Sequence, residues 1–193
     1  CVEQAVIALR KDLLASKLPA SMSLKINDLK GRYQVGASPL REALNRLVTE
    51  GLVATAANRG FWVPEFSLIE CTEIFDLRSQ LEPVALKQTL QQSSDEWEMQ
   101  LVAGAHRLEK LYRSAQSGAD CDQLQACQHF RLIYLQLCSG CSATTIAQVL
   151  ANLYARSERY MWSVWPSFFK PRGLFIIWQE LYRAALAGNI DAA

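Results

Sequence analysis

The sequence predicts a mainly helical protein in two parts, three helices and a β-hairpin followed by an all-helical bundle. Three observations carry this. Apolar residues recur at helical spacing along most of the chain. The one stretch that departs from that period, residues 52–63, reads as two short strands about an Asn/Gly turn. Pro, Gly and Ser clusters punctuate the chain where helices of ordinary length would end.

The elements follow in order. Val2, Ala5, Val6, Leu9, Leu13 and Leu14 form a helical stripe that Leu18-Pro19 breaks. Ile26, Leu29 and Tyr33 share one side of a short second helix. Gly36-Ala37-Ser38-Pro39 is a turn, and a third helix runs from Pro39 to about Glu50, with Ser38 expected as its N-cap and Pro39 at its first position. Leu40, Ala43, Leu44 and Leu47 are its inner side, and Gly51 ends it. Leu52–Thr55 and Phe61–Val63 flank Asn58-Arg59-Gly60 as a hairpin. Three helices and a hairpin in this order make a winged helix-turn-helix, placed at residues 1–66.

Residues 67–193 read as a separate helical domain. Ser67…Glu70 and Ser93…Glu96 are spaced as capping boxes, each opening a helix. Pro83 falls inside the first of these and is expected to kink or split it. Further helices are expected over about 120–137 and 142–164, then a loop through Pro166 and Pro171, then a helix over 174–187.

Composition limits the function. No apolar run is long enough to cross a membrane, and Glu3, Arg10, Lys11 and Asp12 spoil any signal-peptide pattern, so a cytoplasmic location without membrane contact is expected. Residues 1–66 carry nine Lys/Arg against six Asp/Glu, whereas residues 67–193 carry eleven against thirteen, so positive charge favours the head. Cys138-Ser-Gly-Cys141 is a CxxC, but no second pair or His pair completes four metal ligands, so reduced thiols are expected. GxSxG, HExxH and P-loop patterns are missing, which argues against an enzyme.

The residues that carry function follow from the head. The second helix of a helix-turn-helix presents its N-terminal turn to the major groove. Ser38 and Arg41 lie in that turn, and Arg46 lies further along. Arg59 and Gly60 form the hairpin tip, and Lys25 precedes the second helix. These six are the expected DNA-binding residues, as groove and phosphate contacts.

Gly36–Leu44, Leu47–Val53 and Asn58–Val63 resemble the head motifs of the GntR family of transcription regulators. Ile74–Pro83 resembles the opening helix of the family's FadR-type (FCD) ligand domain, and Asp95–Glu98 with Ala105–Leu108 is similar to its carbon-starvation (CsiR-like) subgroup. The resemblance implies a homodimeric operator-binding regulator, expected to be a repressor, whose second domain senses a small organic acid. It also implies that the helical domain lacks its last helix here. The family's Ser-Arg ahead of Thr-Pro is Gly36-Ala37, which removes a major-groove Arg.

Many FCD domains bind a divalent metal through one Asp and three His. The corresponding visible positions are Cys127, Arg131 and Trp178, so no metal or other cofactor is expected. Arg131, with Arg78, is expected to bind the effector's carboxylate directly, or else to pair with an acid such as Glu82. Tyr134, Arg159 and Trp178 complete the expected pocket, while His106 and His129 read as ordinary side chains. Trp162, Trp165, Phe168, Phe169 and Trp178 line a pocket or fill a core. A helical sensor or interaction module with weakened DNA binding is the alternative.

Overall fold

The computed structural model describes residues 1–117, 123–140, 144–168 and 174–188. The elements run α1 (Val2–Leu14), α2 (Ile26–Tyr33), α3 (Ala37–Thr49), β1 (Ala54–Ala56), β2 (Gly60–Trp62), α4 (Leu68–Gln91), α5 (Asp95–Gln116), α6 (Gln123–Leu137), α7 (Thr144–Phe168) and α8 (Leu174–Leu186). They divide into two compact units, residues 1–72 with 155–162, and residues 73–154 with 163–193.

In the first unit the inner stripes of α1 and α3 meet. Leu9, Leu40, Ala43, Leu44 and Leu47 are each 0% exposed, which makes this seam the core of the unit. Helix α3 ends because Gly51 takes a left-handed conformation (φ 72°), a geometry in which a side chain is strained. The chain then enters a hairpin paired in antiparallel register, Ala54 with Trp62 and Ala56 with Gly60. Residues 21–24 supply a further edge to β2: Leu24 N–H donates to Phe61 O at 2.8 Å, and Val63 N–H donates to Met22 O at 3.0 Å. No strand pattern in 21–24 announces this pairing.

Charge is buried in this unit too. The Arg10 side chain is 6% exposed and donates to Glu50 and to Glu158 of α7. Glu70 accepts from the Arg156 guanidinium and from the Tyr160 hydroxyl, the latter at 2.7 Å. Burial alone pushes the Glu70 carboxyl up, but these two donors and the Arg156 charge bring it below the ordinary carboxylate value.

The second unit is a helical bundle. Trp97 on α5 is buried and donates its indole N–H to Gln136 O on α6 at 2.8 Å. Phe175 on α8 stacks on Tyr112 of α5 with ring centroids 3.9 Å apart. Leu101, Leu108 and Leu150 are fully buried among them.

Several local expectations need correction. The α3 N-cap is Gly36, not Ser38, so Ser38 and Pro39 lie inside the first helical turn. Pro is tolerated there because the early N–H groups of a helix have no intrahelical acceptor. Ser67 does cap α4, accepting from Glu70 N–H at 3.1 Å, but the Glu70 carboxylate goes to Arg156 and Tyr160 instead of closing the box. The α5 cap is Ser94, one residue after the expected Ser93, and it accepts from Trp97 N–H at 3.2 Å. Neither Pro83 nor Pro166 ends its helix: α4 runs on to Gln91 and α7 to Phe168. One missing N–H does not outweigh packing beyond Pro83, where Ala85 and Leu86 are buried. Among the described residues no helix is long and apolar enough to cross a membrane.

Candidate DNA-binding surface and effector cavity

The head surface is built by what its core takes away. With Leu40, Ala43, Leu44 and Leu47 turned inward, helical spacing leaves Ser38, Arg41, Glu42 and Asn45 exposed on the other side of α3. Gly36 offers no side-chain cap, Pro39 has no N–H, and Leu40 N–H donates to Gly36 O at 3.2 Å. The N–H groups of Ala37 and Ser38 therefore open the helix without an acceptor of its own, at its positive end. Arg41 is exposed and makes no ion pair with a described residue. Asn45 shares its face and escaped the sequence reading, although its i+4 spacing from Arg41 was legible.

The other expected contacts are placed less evenly. Arg46 is exposed but engaged, with Glu42 at 2.7 Å and Glu3 at 3.3 Å, so much of its charge is already answered within the head. Lys25 is exposed at the N-cap of α2. Arg59 and Gly60 are at the hairpin tip, where Asn58 (φ 64°) and Gly60 (φ 73°) make the turn. The Arg59 guanidinium lies 3.9 Å from the Trp62 ring centroid, a cation–π contact that limits how the arm samples solvent.

In the second unit a cavity of about 200 Å³ is lined by Ser79, Glu82, Pro83 and Leu86 of α4, Tyr134 and Leu137 of α6 with Cys138 just beyond it, Tyr154 of α7 and Leu181 of α8. Arg78 is buried behind this wall. Its Nε donates to Glu82 Oε1 at 2.7 Å and its guanidinium lies 4.3 Å from the Tyr154 ring centroid. Burial, and then the Glu82 charge, pushes the Tyr134 phenol up to about 12, and the same causes push Tyr154 further. Both phenols remain protonated donors at neutral pH.

The expected pocket set is only partly gathered here. Tyr134 lines the cavity and Arg78 sits next to it. Glu82 accepts from Arg78, and Arg131 lies half-buried on α6. Trp178 does not line the cavity. It is 1% exposed, stacked on Tyr182 at 5.4 Å and tilted against Phe175, and it belongs to the core. Arg159 is also misplaced: it belongs to the first unit, donates to Pro64 O at 2.9 Å and to Glu65 O at 3.0 Å, and lies over Phe66. Its position on α7 gave no hint of that, because the contact is long-range. Trp162 belongs to the first unit, Phe169 and Cys141 lie outside the described residues, and the side chains of Trp165 and Phe168 lie outside the described set.

Comparison with known proteins places both units. Residues 2–63 match the family model of bacterial regulatory proteins of the gntR family, and residues 73–193 match that of the FCD domain. The chain belongs to the GntR family, with an FCD domain. It is 36% identical over 159 residues to the uncharacterized HTH-type transcriptional regulator BphR of Paraburkholderia xenovorans, covering 82% of this chain and 65% of that one. It is 30% identical over 152 residues to the HTH-type transcriptional repressor GlaR of Escherichia coli, covering 79% of this chain and 68% of that one. The GntR chain described here thus spans about two thirds of the length of these relatives. Among solved structures it resembles E. coli McbR/YncC, with a TM-score of 0.72 at 21% identity over 99% of this chain and 88% of that one. A putative GntR regulator from Rhodococcus gives 0.71 at 17% identity, covering 99% and 88% respectively. At these identities the two structures speak to the fold.

Proposed function

We propose that this GntR chain binds operator DNA as a homodimer, represses transcription, and is released or retained according to a small organic acid held in its FCD domain. The observation that carries the DNA reading is the exposed first turn of α3. Ser38, Arg41 and Asn45 stand on one face there, behind two N–H groups at the helix's positive end. Arg59 at the wing tip and Lys25 add phosphate contacts, and Arg46 contributes least because Glu42 and Glu3 hold it. The relation to GlaR supports repression.

The effector reading rests on the α4–α6–α7–α8 cavity. About 200 Å³ lies below the roughly 300–1,000 Å³ of drug-sized sites, which suits a small acid. A carboxylate in this cavity competes with Glu82 for Arg78, and that competition is a local event able to favour one arrangement of the protein over another. Cys127, Arg131 and Trp178 do not fit a divalent cation. Arg131 is itself a cation, Trp178 has no lone pair to give, and among the described residues no three His, Cys, Asp or Glu side chains converge. The chemistry of these three side chains supports an effector site that works without a metal.

The test is anisotropy of labelled duplex DNA across a salt series. Each phosphate contact contributes about 0.9 to the slope of log affinity against log salt. Arg41→Ala and Arg59→Ala should each weaken binding and flatten that slope by about one unit. Salt-insensitive binding, or slopes unchanged in both variants, would refute the reading and favour a helical module that has lost DNA contact. For the effector, mono- and dicarboxylates are screened by thermal shift with and without chelator. Saturation at a hundredfold excess over Kd stabilises by about 2.7 kcal/mol. A shift that survives chelator and is lost in Arg78→Ala and in Arg131→Ala supports the metal-free site, and one abolished by chelator overturns it.

A further inference from the structure

The seam between α5 and α6 holds a groove that the effector reading does not use. Its volume is about 390 Å³, within the roughly 300–1,000 Å³ of small-molecule sites, and it shares no lining residue with the cavity of Tyr134 and Tyr154. Small residues open it. Gly104 lies so close to α6 that a Cβ there would stand 3.0 Å from Ile133 Cγ1, and Ala103 beside it keeps the floor low. Met99, 65% exposed, and Leu132, 54% exposed, stand as apolar walls on either helix.

The two ends of the groove differ. Trp97 meets Gln136 and Gly104 meets Ile133, so the helices run in opposite directions and Arg107 falls toward His129. The amide side chains of Gln100 and Gln136 line the far end, about 10 Å away at 1.5 Å per residue. Arg107 donates its Nε to Ala103 O at 3.2 Å, and among the described residues its terminal nitrogens, the ones left to grip a carboxylate, have no acceptor. His129 makes no hydrogen bond to a described residue. Burial, and then the Arg107 charge, lower its pKa, so at neutral pH a neutral imidazole stands beside a cation. A cation and an imidazole without a carboxylate between them leave a place for an anion, which would accept from both.

We propose that this groove binds a second small molecule, an aromatic carboxylic acid whose carboxylate sits between Arg107 and His129 and whose ring lies over Ala103 between Met99 and Leu132. A flat rigid ring loses little freedom in a shallow trough, and the Met99 thioether is a favourable neighbour for its edge. Charge fixes the direction of binding, because the Gln100 and Gln136 end carries no cation. This site is independent of the effector reading, since none of its residues belongs to the Arg78 cavity.

The test is isothermal titration of the full chain with 2-naphthoate and with 2-naphthamide, its uncharged counterpart. One naphthoate per chain is expected in the groove. Arg107→Ala should weaken it by about ten- to a hundredfold, the worth of a charge-assisted hydrogen bond. Naphthamide should bind the unaltered chain about tenfold more weakly than naphthoate and be indifferent to Arg107→Ala. Ala103→Leu fills the floor and should weaken both compounds by about tenfold. Arg107 and Ala103 are exposed, so both variants should melt as the unaltered chain does in the absence of ligand. Arg113→Ala removes an exposed charge further along α5 and should leave binding unchanged. Equal binding of naphthamide and naphthoate would overturn the proposal, as would no binding at millimolar concentration. Naphthoate binding that neither Arg107→Ala nor Ala103→Leu weakens would place the acid elsewhere, the Arg78 cavity included, and would also overturn it. A loss in Arg113→Ala as large as that in Arg107→Ala would reduce the attraction to diffuse charge and refute the site.

Discussion

Arg10 is the residue whose loss should say most about how the first unit is held. Its side chain is 6% exposed and bridges Glu50, at 24%, and Glu158, at 6%. Arg10→Ala removes the guanidinium that both of these carboxylates accept from. Removing one partner from a buried ion pair costs about 3–5 kcal/mol, far above the 0–1 kcal/mol of an exposed pair. Most of the cost should come from Glu158, since Glu50 reaches water. For a chain of this size about 4 kcal/mol corresponds to a fall in Tm of roughly 8–16 °C. The assay is urea unfolding with a cycle of Arg10→Met, Glu158→Leu and the two combined. Arg10→Met should destabilise strongly, whereas the combination should recover most of the loss, because apolar side chains can replace a buried ion pair at little net cost. A loss below about 1 kcal/mol for Arg10→Ala, or strict additivity in the cycle, would refute the argument that these charges are buried together.

Other perturbations follow from the same structure. Gly51→Ala forces a side chain into a left-handed backbone and sets its Cβ 2.8 Å from Arg156 Cγ; a loss of about 1–3 kcal/mol is expected by chemical denaturation. Acid should weaken the fold in two stages. Burial, and then Arg107, lowers the His129 pKa, so its stabilising contribution is complete above about 6.5 and declines as pH falls. Asp12 and Glu70 are held below their ordinary values by hydrogen bonds and neighbouring cations that outweigh burial, so their contribution is lost lower, as pH falls from about 4.5. Melting curves from neutral to acid pH, repeated with His129→Gln, should lose the first stage only.

How far the sequence reached can be judged residue by residue. The stripe Leu40, Ala43, Leu44, Leu47 gave α3 its inner side and so its exposed one. That is a local property, because helical spacing alone decides which residues share a face. Gly51 and Gly60 were legible for the same reason, since a left-handed backbone is a demand on one residue. Helix starts were less secure: Gly36 in place of Ser38, and Ser94 in place of Ser93, differ by one or two positions because several residues can cap and the tertiary fit selects among them.

What the sequence by itself determined is the order of elements, the helical character of both units and the exposed side of α3. Tertiary structure decided the rest. Nothing local in the sequence tied Arg10 to Glu158, and Arg159 read as a pocket residue until Pro64 and Glu65 accepted its hydrogen bonds. Trp178 became core once Phe175 and Tyr182 closed on it. The physical reason is that burial and pairing of a charge or a ring depend on residues far away in sequence. Spacing records which face a residue takes, and only packing records what meets it there.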